Sequence, residues 1–133
     1  QAYFHMVAVR FRVIHFSNGM HGWGYTEAQY AQGLQGLLAD LRDDAPGAKL
    51  IWASTTPVQN DSTTGGATHA RVEARNVAAA RLMRANHIPI DDQFALMKAH
   101  TDLHNGDVHY TAAGSAVQAD QVVKFVDPML LNH

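Results

Sequence analysis

Val7-Ala8-Val9-Arg10-Phe11-Arg12-Val13-Ile14-His15-Phe16 decides the class of this fold. β-Branched and aromatic residues dominate it. Toward its end the apolar residues run on almost without alternation, and Ser17-Asn18-Gly19 stops it. A strand covered on both faces reads this way, as in a parallel sheet. The pattern that follows is helical. Thr26 with Gln29 three residues on has capping-box spacing, and Tyr30, Leu34, Leu37, Leu38 and Leu41 share one face. Ala45-Pro46-Gly47 ends that helix, and Lys49-Leu50-Ile51-Trp52-Ala53-Ser54 is a second strand with Trp52 in the core, closed by Thr55-Thr56-Pro57.

Further along, residues 59–66 make a polar loop suited to a mobile lid. The spacing predicts a helix over 67–86 with Ala74, Val77, Ala78 and Leu82 on its apolar face. Ile88-Pro89-Ile90 is a short third strand. Asp91 and Asp92 cap a short helix reaching Lys98. Thr111 caps the last helix, with Ala119, Val122, Val123 and Val126 as its apolar face before Pro128. The order β-α-β-α-β-α-α implies one domain over 1–133, an α/β fold with a parallel sheet and right-handed crossovers. In such sheets the working site lies beyond the carboxyl ends of the strands. Ser17–Trp23, Thr55–Gly66 and His100–Tyr110 fall there.

Composition narrows the function. At 133 residues and 47% hydrophobic, the chain has enough apolar material for one core. A net charge of −2 gives no electrostatic case for nucleic acid or an anionic membrane, and no apolar run approaches a membrane span. With no cysteine, disulfides, thiolate nucleophiles and Cys-ligated zinc are excluded. No signal peptide is visible, and the compartment stays open. The nine histidines raise the metal question, but His100, His104 and His109 straddle a turn with no zinc-helix pattern, so no metal or cofactor is expected.

The chemistry concentrates in Asn105-Gly106-Asp107-Val108-His109-Tyr110-Thr111-Ala112-Ala113-Gly114. A carboxylate and an imidazole stand two residues apart in a Gly-containing turn, just ahead of a helix cap. A His in that position is held by a rigid element, yet reaches solvent, as a general base must. Asp107 reads equally well as a turn-stabilising residue, Asn18 as a turn residue before Gly19, and Ser17 as a strand-end hydroxyl. His21 and Trp23 either line a pocket or pack the loop against Tyr25.

Four stretches together resemble the SGNH (GDSL-type) hydrolases: Val13 to Trp23, Ile51 to Val58, Asn86 to Asp92, and Gly106 to Gly114. The resemblance covers about residues 7 to 127. It implies a flavodoxin-like three-layer α/β/α fold and ester hydrolysis by Ser, His and Asp. It makes His109 the base that takes the serine proton, Asn18 an oxyanion donor, and Asp107 the acid orienting His109, with Asp102 as fallback. Gly19, His21, Trp23 and Thr55 would surround the substrate. The family's acid usually stands three residues before its His, where this chain has Gly106. The family's first strand and its Gly-Asp-Ser block do not occur in the 133 residues.

Two expectations follow. Without a neighbouring first strand, Val9–Phe16 becomes an apolar edge, which favours a homo-oligomer or association with an N-terminal fragment. Without the usual serine, Ser17 is the substitute nucleophile, ahead of Ser54, Ser62 and Ser115, or His109 activates water. The activity expected is hydrolysis of short-chain acyl esters, with carbohydrate deacetylation favoured. The alternative is a non-catalytic remnant serving as a binding or assembly module. A nucleotide binder is a weaker reading, because no turn carries a glycine-rich phosphate loop.

Overall fold

The computed structural model describes residues 10–61 and 66–131. Its elements are β1 (Val13–Phe16), α1 (Glu27–Asp44), β2 (Lys49–Ala53), α2 (His69–Ala85), β3 (Ile90–Asp91), α3 (Gln93–Lys98), β4 (His104–Asn105), β5 (His109–Tyr110) and α4 (Ala112–Leu131). β1, β2 and β3 form a parallel sheet in that order. His15 pairs with Ile51 on β2, and Ala53 pairs with Asp91 on β3. β4 and β5 form a separate antiparallel hairpin.

Alternation along the strands sorts their side chains to two faces. Phe16, Leu50, Trp52 and Ile90 pack with Tyr30, Leu34 and Leu38 of α1 and Ala79 and Met83 of α2. His15, Ala53 and Ile51 face the other way, toward α4, which touches all three strands. The result is the expected three-layer α/β/α arrangement, with Trp52 in its core. Helix α1 begins where its capping box predicts. The Thr26 side chain accepts from the Gln29 N–H, and the Gln29 side chain accepts from the Thr26 N–H. Leu37 packs at the margin of the core.

Several boundaries differ from the sequence reading. β1 starts at Val13; Arg10 to Arg12 lie outside it, and Val7 to Val9 fall outside the described residues. Helix α2 turns a different face inward. Val72, Arg75, Ala79 and Met83 are buried, whereas Ala74 and Val77 are exposed and Ala78 and Leu82 are half-buried. An arginine on the inner line hid that period from any count of apolar residues. Asp91 is a strand residue, and Asp92 alone caps α3, accepting from the Ala95 N–H. Of the expected lid, Ser62 to Gly65 lie outside the described residues.

Helix α4 continues through Pro128 to Leu131. The four residues of its expected apolar face divide between half-buried and exposed sides, because the helix is hydrophobic almost all round. Val122 and Val126 are half-buried, but Ala119 and Val123 are exposed. Two cations hold its last turn against the sheet. Lys49 Nζ donates to the Met129 carbonyl at 2.8 Å and Arg12 to the Leu130 carbonyl at 3.2 Å. Positive charge there also suits the negative end of the helix dipole. Among the described residues, no helix is long and apolar enough to cross a membrane.

Candidate active site

The segments after β1, β2 and β3 meet at the carboxyl edge of the sheet. Two arginines from α2 fix the first of them. Arg75 is wholly buried, its guanidinium 4.0 Å from the centre of the Trp23 ring and 4.9 Å from that of Tyr30. It donates to the carbonyls of His21, Gly22 and Tyr25. Arg71 donates to the Trp23 and Tyr25 carbonyls and, at 2.7 Å, to Glu27, whose carboxyl it holds below the usual range. Loop 17–25 is therefore tied to a helix and cannot drift.

Asn76 holds the second segment. Its side chain accepts from the Thr55 N–H at 2.9 Å and donates to the Thr55 carbonyl at 2.8 Å. The two loops then touch through a glycine. A Cβ at Gly19 would lie 1.4 Å from Thr55 Oγ1, so only glycine fits. Thr55 Oγ1 itself is buried and has no hydrogen-bond partner among the described residues.

The third segment is the β4–β5 hairpin, turned at Gly106 with φ +79°, a conformation L side chains avoid. Neither arm carries a strand pattern, because each has only two residues. The hairpin is docked on loop 57–60. Tyr110 Oη donates to the Pro57 carbonyl, Gln59 N–H to the Asp107 carbonyl, and Asn60 Nδ2 to Asp107 Oδ1 at 2.8 Å. The His104 and Tyr110 rings stack with centroids 4.4 Å apart. Burial holds the His104 imidazole below its ordinary pKa.

These constraints surround a cavity of about 470 Å³ lined by His15, Ser17, His21, Thr55, His109 and Val122, among others. Ser17 and His109 are both exposed at it. The His109 ring makes no hydrogen bond to either expected acid. Asp107 is engaged by Asn60, and Asp102 is exposed on the turn before β4. The spacing explains this: with glycine three residues before the His, the acid falls on the strand side that faces loop 57–60.

Asn18 opens into a neighbouring cavity of about 580 Å³, shared with Tyr25 and Tyr30, and His21 lines both cavities. Tyr30 Oη donates to Asn18 Oδ1 at 3.3 Å, which orients the amide and leaves Nδ2 as its donor. Burial pushes the Tyr30 phenol up to about 12, so it stays protonated and keeps donating. Trp23 is not a wall of either cavity. It is a core residue packed with Val58, Ala67 and Val72, its indole N–H donating to the Met20 carbonyl. Ser54 is buried as well, donating to Asp92 and accepting from the Phe94 N–H, so its hydroxyl is occupied. Ser115 is exposed on the first turns of α4, and Ser62 lies outside the described residues.

Sequence reasoning missed Arg71, Arg75 and Asn76, which position the loops, and the bond between His15, which lines the cavity, and the buried Asp91. Arg75 was detectable in principle, since it stands in phase with Val72, Ala79 and Met83.

A three-layer α/β/α domain with an imidazole and a serine at the carboxyl edge of its parallel sheet has the layout of a hydrolase. The chain belongs to the GDSL-like lipase/acylhydrolase family, whose model matches residues 18–117. No curated protein matches it. Solved structures share its fold at low identity. A GDSL-like lipase from Bacteroides thetaiotaomicron is 12% identical with a TM-score of 0.73, covering 88% of this chain and 62% of its own. A member of the lipolytic G-D-S-L family from Veillonella parvula is 15% identical with a TM-score of 0.74, covering 92% of this chain and 68% of its own. A peptidoglycan O-acetylesterase is 14% identical with a TM-score of 0.72, covering 89% of this chain and 37% of its own. The chain thus spans less than two thirds of the Bacteroides thetaiotaomicron protein.

Proposed function

We propose that the protein is a carboxylic ester hydrolase acting on short-chain acyl esters, with acetylated carbohydrates as the favoured class. The observation that carries this reading is the cavity of about 470 Å³ at the carboxyl edge of the sheet, where Ser17 and the His109 ring are both exposed. Ser17 is the nucleophile. His109 is the base: it takes the Ser17 hydroxyl proton as Oγ bonds to the acyl carbon, gives it to the leaving alcohol, then takes a proton from the water that cleaves the acyl-enzyme and returns it to the departing Ser17 oxygen. The family resemblance assigns the oxyanion donor to Asn18, which stands next to Ser17 in the chain and lines the adjoining cavity; loss of such a donor typically costs about 10²–10³ in kcat. The acetylesterase likeness of the fold supports the choice of a small acyl group. Turnover of p-nitrophenyl acetate tests the reading, and His109→Ala is expected to abolish it. Retained turnover in that variant removes His109 from the mechanism.

A second reading rests on a different surface. β1 lies at the edge of the described sheet, and α4 leaves Val123 (51%) and Leu131 (77%) exposed. An open parallel edge beside exposed apolar side chains suits an assembly module that pairs with a second copy or with a strand-bearing fragment. Sedimentation equilibrium tests this: a dimer or a retained fragment supports it, and a monomer with full esterase activity rejects it.

A further inference from the structure

On the face of the sheet opposite the ester cavity, a groove of about 420 Å³ lies between α2 and β3. Trp52 and Ile90, register partners on β2 and β3, line it, and so do Ser54 and Asp92, two residues further along the chain in each case. Helix α2 contributes Val77, Ala80, Arg81 and Arg84, and α3 contributes Phe94. The ester cavity is lined from the other face by His15 and Ala53, and Ser54 alone is common to both hollows.

The groove has two unlike ends. Helix α2 crosses between the parallel strands β2 and β3, so it runs antiparallel to them. Its last turn, with Arg84, therefore lies at the level of Trp52 and Ile90, with Arg81 one turn back. Its second turn, where Glu73 also lines the groove, lies at the level of Asp92 and Phe94. Lys98 Nζ ties that end together, 3.7 Å from a Glu73 oxygen and 5.6 Å from the centre of the Phe94 ring. At 1.5 Å per residue, Glu73 and Arg84 stand about 16 Å apart along the helix.

Both acids of the groove have partners. Glu73 has Lys98, and Asp92 accepts from the Ser54 hydroxyl and the Ala95 N–H. The two cations have none. Among the described residues, the exposed side chains of Arg81 and Arg84 make no ion pair and no hydrogen bond. They stand three residues apart on one helix face, near enough to repel each other and to share one anion. Trp52 adds a third donor at the same level. It is 1% exposed, and its indole N–H is buried without an acceptor among the described residues. Buried polar groups are nearly always paired, with protein or with a bound molecule. The walls leading from this end toward α3 are apolar: Val77 is 56% exposed, and Ala80 and Phe94 are half-buried.

Unpaired donors at one end and an apolar wall leading away from them match an anion that carries a hydrocarbon tail. We propose that this groove binds a medium-chain aliphatic carboxylate, its head at Arg81 and Arg84 beside Trp52 and its tail along Val77 toward Phe94. A planar carboxylate meets a guanidinium fork through two parallel hydrogen bonds. Its single charge also suits a groove whose far end carries Glu73 and Asp92, which oppose a phosphate dianion. The tail covers Val77, which is otherwise left to water. The site is separate from the ester cavity, and the proposal stands whether or not the esterase reading holds.

Nitrogen-15 NMR of the whole chain during titration with sodium octanoate tests the site. The chain has two tryptophans, hence two indole N–H signals, which Trp52→Phe assigns. The Trp23 N–H already donates to the Met20 carbonyl and serves as the internal control. Octanoate is expected to move the Trp52 signal saturably, with a Kd of about 1 mM or tighter, which a ligand of about ten heavy atoms can reach. Octylammonium and octanol should leave it in place. The double variant Arg81→Gln/Arg84→Gln should bind octanoate at least about tenfold more weakly, since each lost bond joined two charged groups. Thermal unfolding checks that it is folded; should it not be, Val77→Asp, an exposed helix position beside the tail, should weaken binding by a similar factor. A Trp52 signal that stays still, or that shifts without saturating by about 10 mM, overturns the proposal. So does an equal response to octylammonium, octanol or inorganic phosphate, or an affinity that the folded variants leave unchanged. Octanoate that moves the Ser17 and His109 amides but not the Trp52 indole places the carboxylate in the ester cavity and overturns it as well.

Discussion

Gly19→Ala tests how tightly the two loops of the cavity are joined. The new methyl group would lie 1.4 Å from Thr55 Oγ1 and 2.7 Å from Thr55 Cβ. Rotation of the hydroxyl away relieves the first contact but not the second, because Cβ is fixed by the backbone. That backbone is held at both its N–H and its carbonyl by Asn76. Either loop 17–25 or the start of loop 55–58 must shift, and Arg71 and Arg75 resist the former. Overpacking of this kind costs about 1–3 kcal/mol. For a domain of this size each kcal/mol lowers Tm by roughly 4 °C, so a fall of about 4–12 °C is expected. Thr55→Gly removes both offending atoms. In a double-mutant cycle followed by urea unfolding, Gly19→Ala should therefore cost at least about 1 kcal/mol less in the Thr55→Gly background. Strictly additive costs would refute the contact, and a Gly19→Ala protein as stable as wild type would refute the whole steric argument.

Three further outcomes are expected. Arg75→Met keeps the bulk of the side chain but strands three carbonyls. At about 1.5–3 kcal/mol per hydrogen bond to a charged group, it should lower urea stability by at least about 3 kcal/mol, and the half-exposed Arg71→Met by less. Asp107→Asn preserves the acceptor for Asn60 and should reduce kcat less than about tenfold, against about 10⁴ for an Asp that orients a catalytic His. A loss near 10⁴ would show that Asp107 reaches His109 during turnover. His104 titrates lower when folded than its ordinary 6.5, because burial disfavours its cation. The unfolded chain then takes up the proton first, so this contribution is present above pH 6.5 and is lost as pH falls below it toward the folded value. The pH dependence of Tm between 5 and 7 should flatten in His104→Gln.

What was legible in the sequence was whatever a local pattern dictates. Helix α1 showed both its cap and its face, since Thr26, Gln29 and the leucines lie within a few residues of one another. β2 read as a covered strand because Leu50, Ile51 and Trp52 are apolar on both faces. Helix α2 misled because Arg75 is buried by satisfying three carbonyls some 50 residues earlier in the chain. The hairpin escaped notice because two-residue arms carry no periodicity. His15–Asp91 could not be seen at all: a bond between residues 76 apart depends on strand order and on a small residue at position 53. At the site, the sequence located the serine, the threonine and the imidazole that share the cavity. It did not show that Asn18 opens into the adjoining cavity, or that Asp107 turns to Asn60.

The Asn76 side chain takes both polar groups of the Thr55 peptide, as a residue on an adjacent strand would. One rung of sheet is thus supplied by a helix. The Thr55 amide can exchange its hydrogen with solvent only when that rung opens, and the rung opens when α2 unwinds or moves away. Hydrogen exchange at Thr55 should therefore follow the amides of α2 rather than those of the loop that contains it. The wall of the cavity and the helix behind it then form one cooperative unit, so a substitution far along α2 that loosens the helix will also loosen the cavity wall.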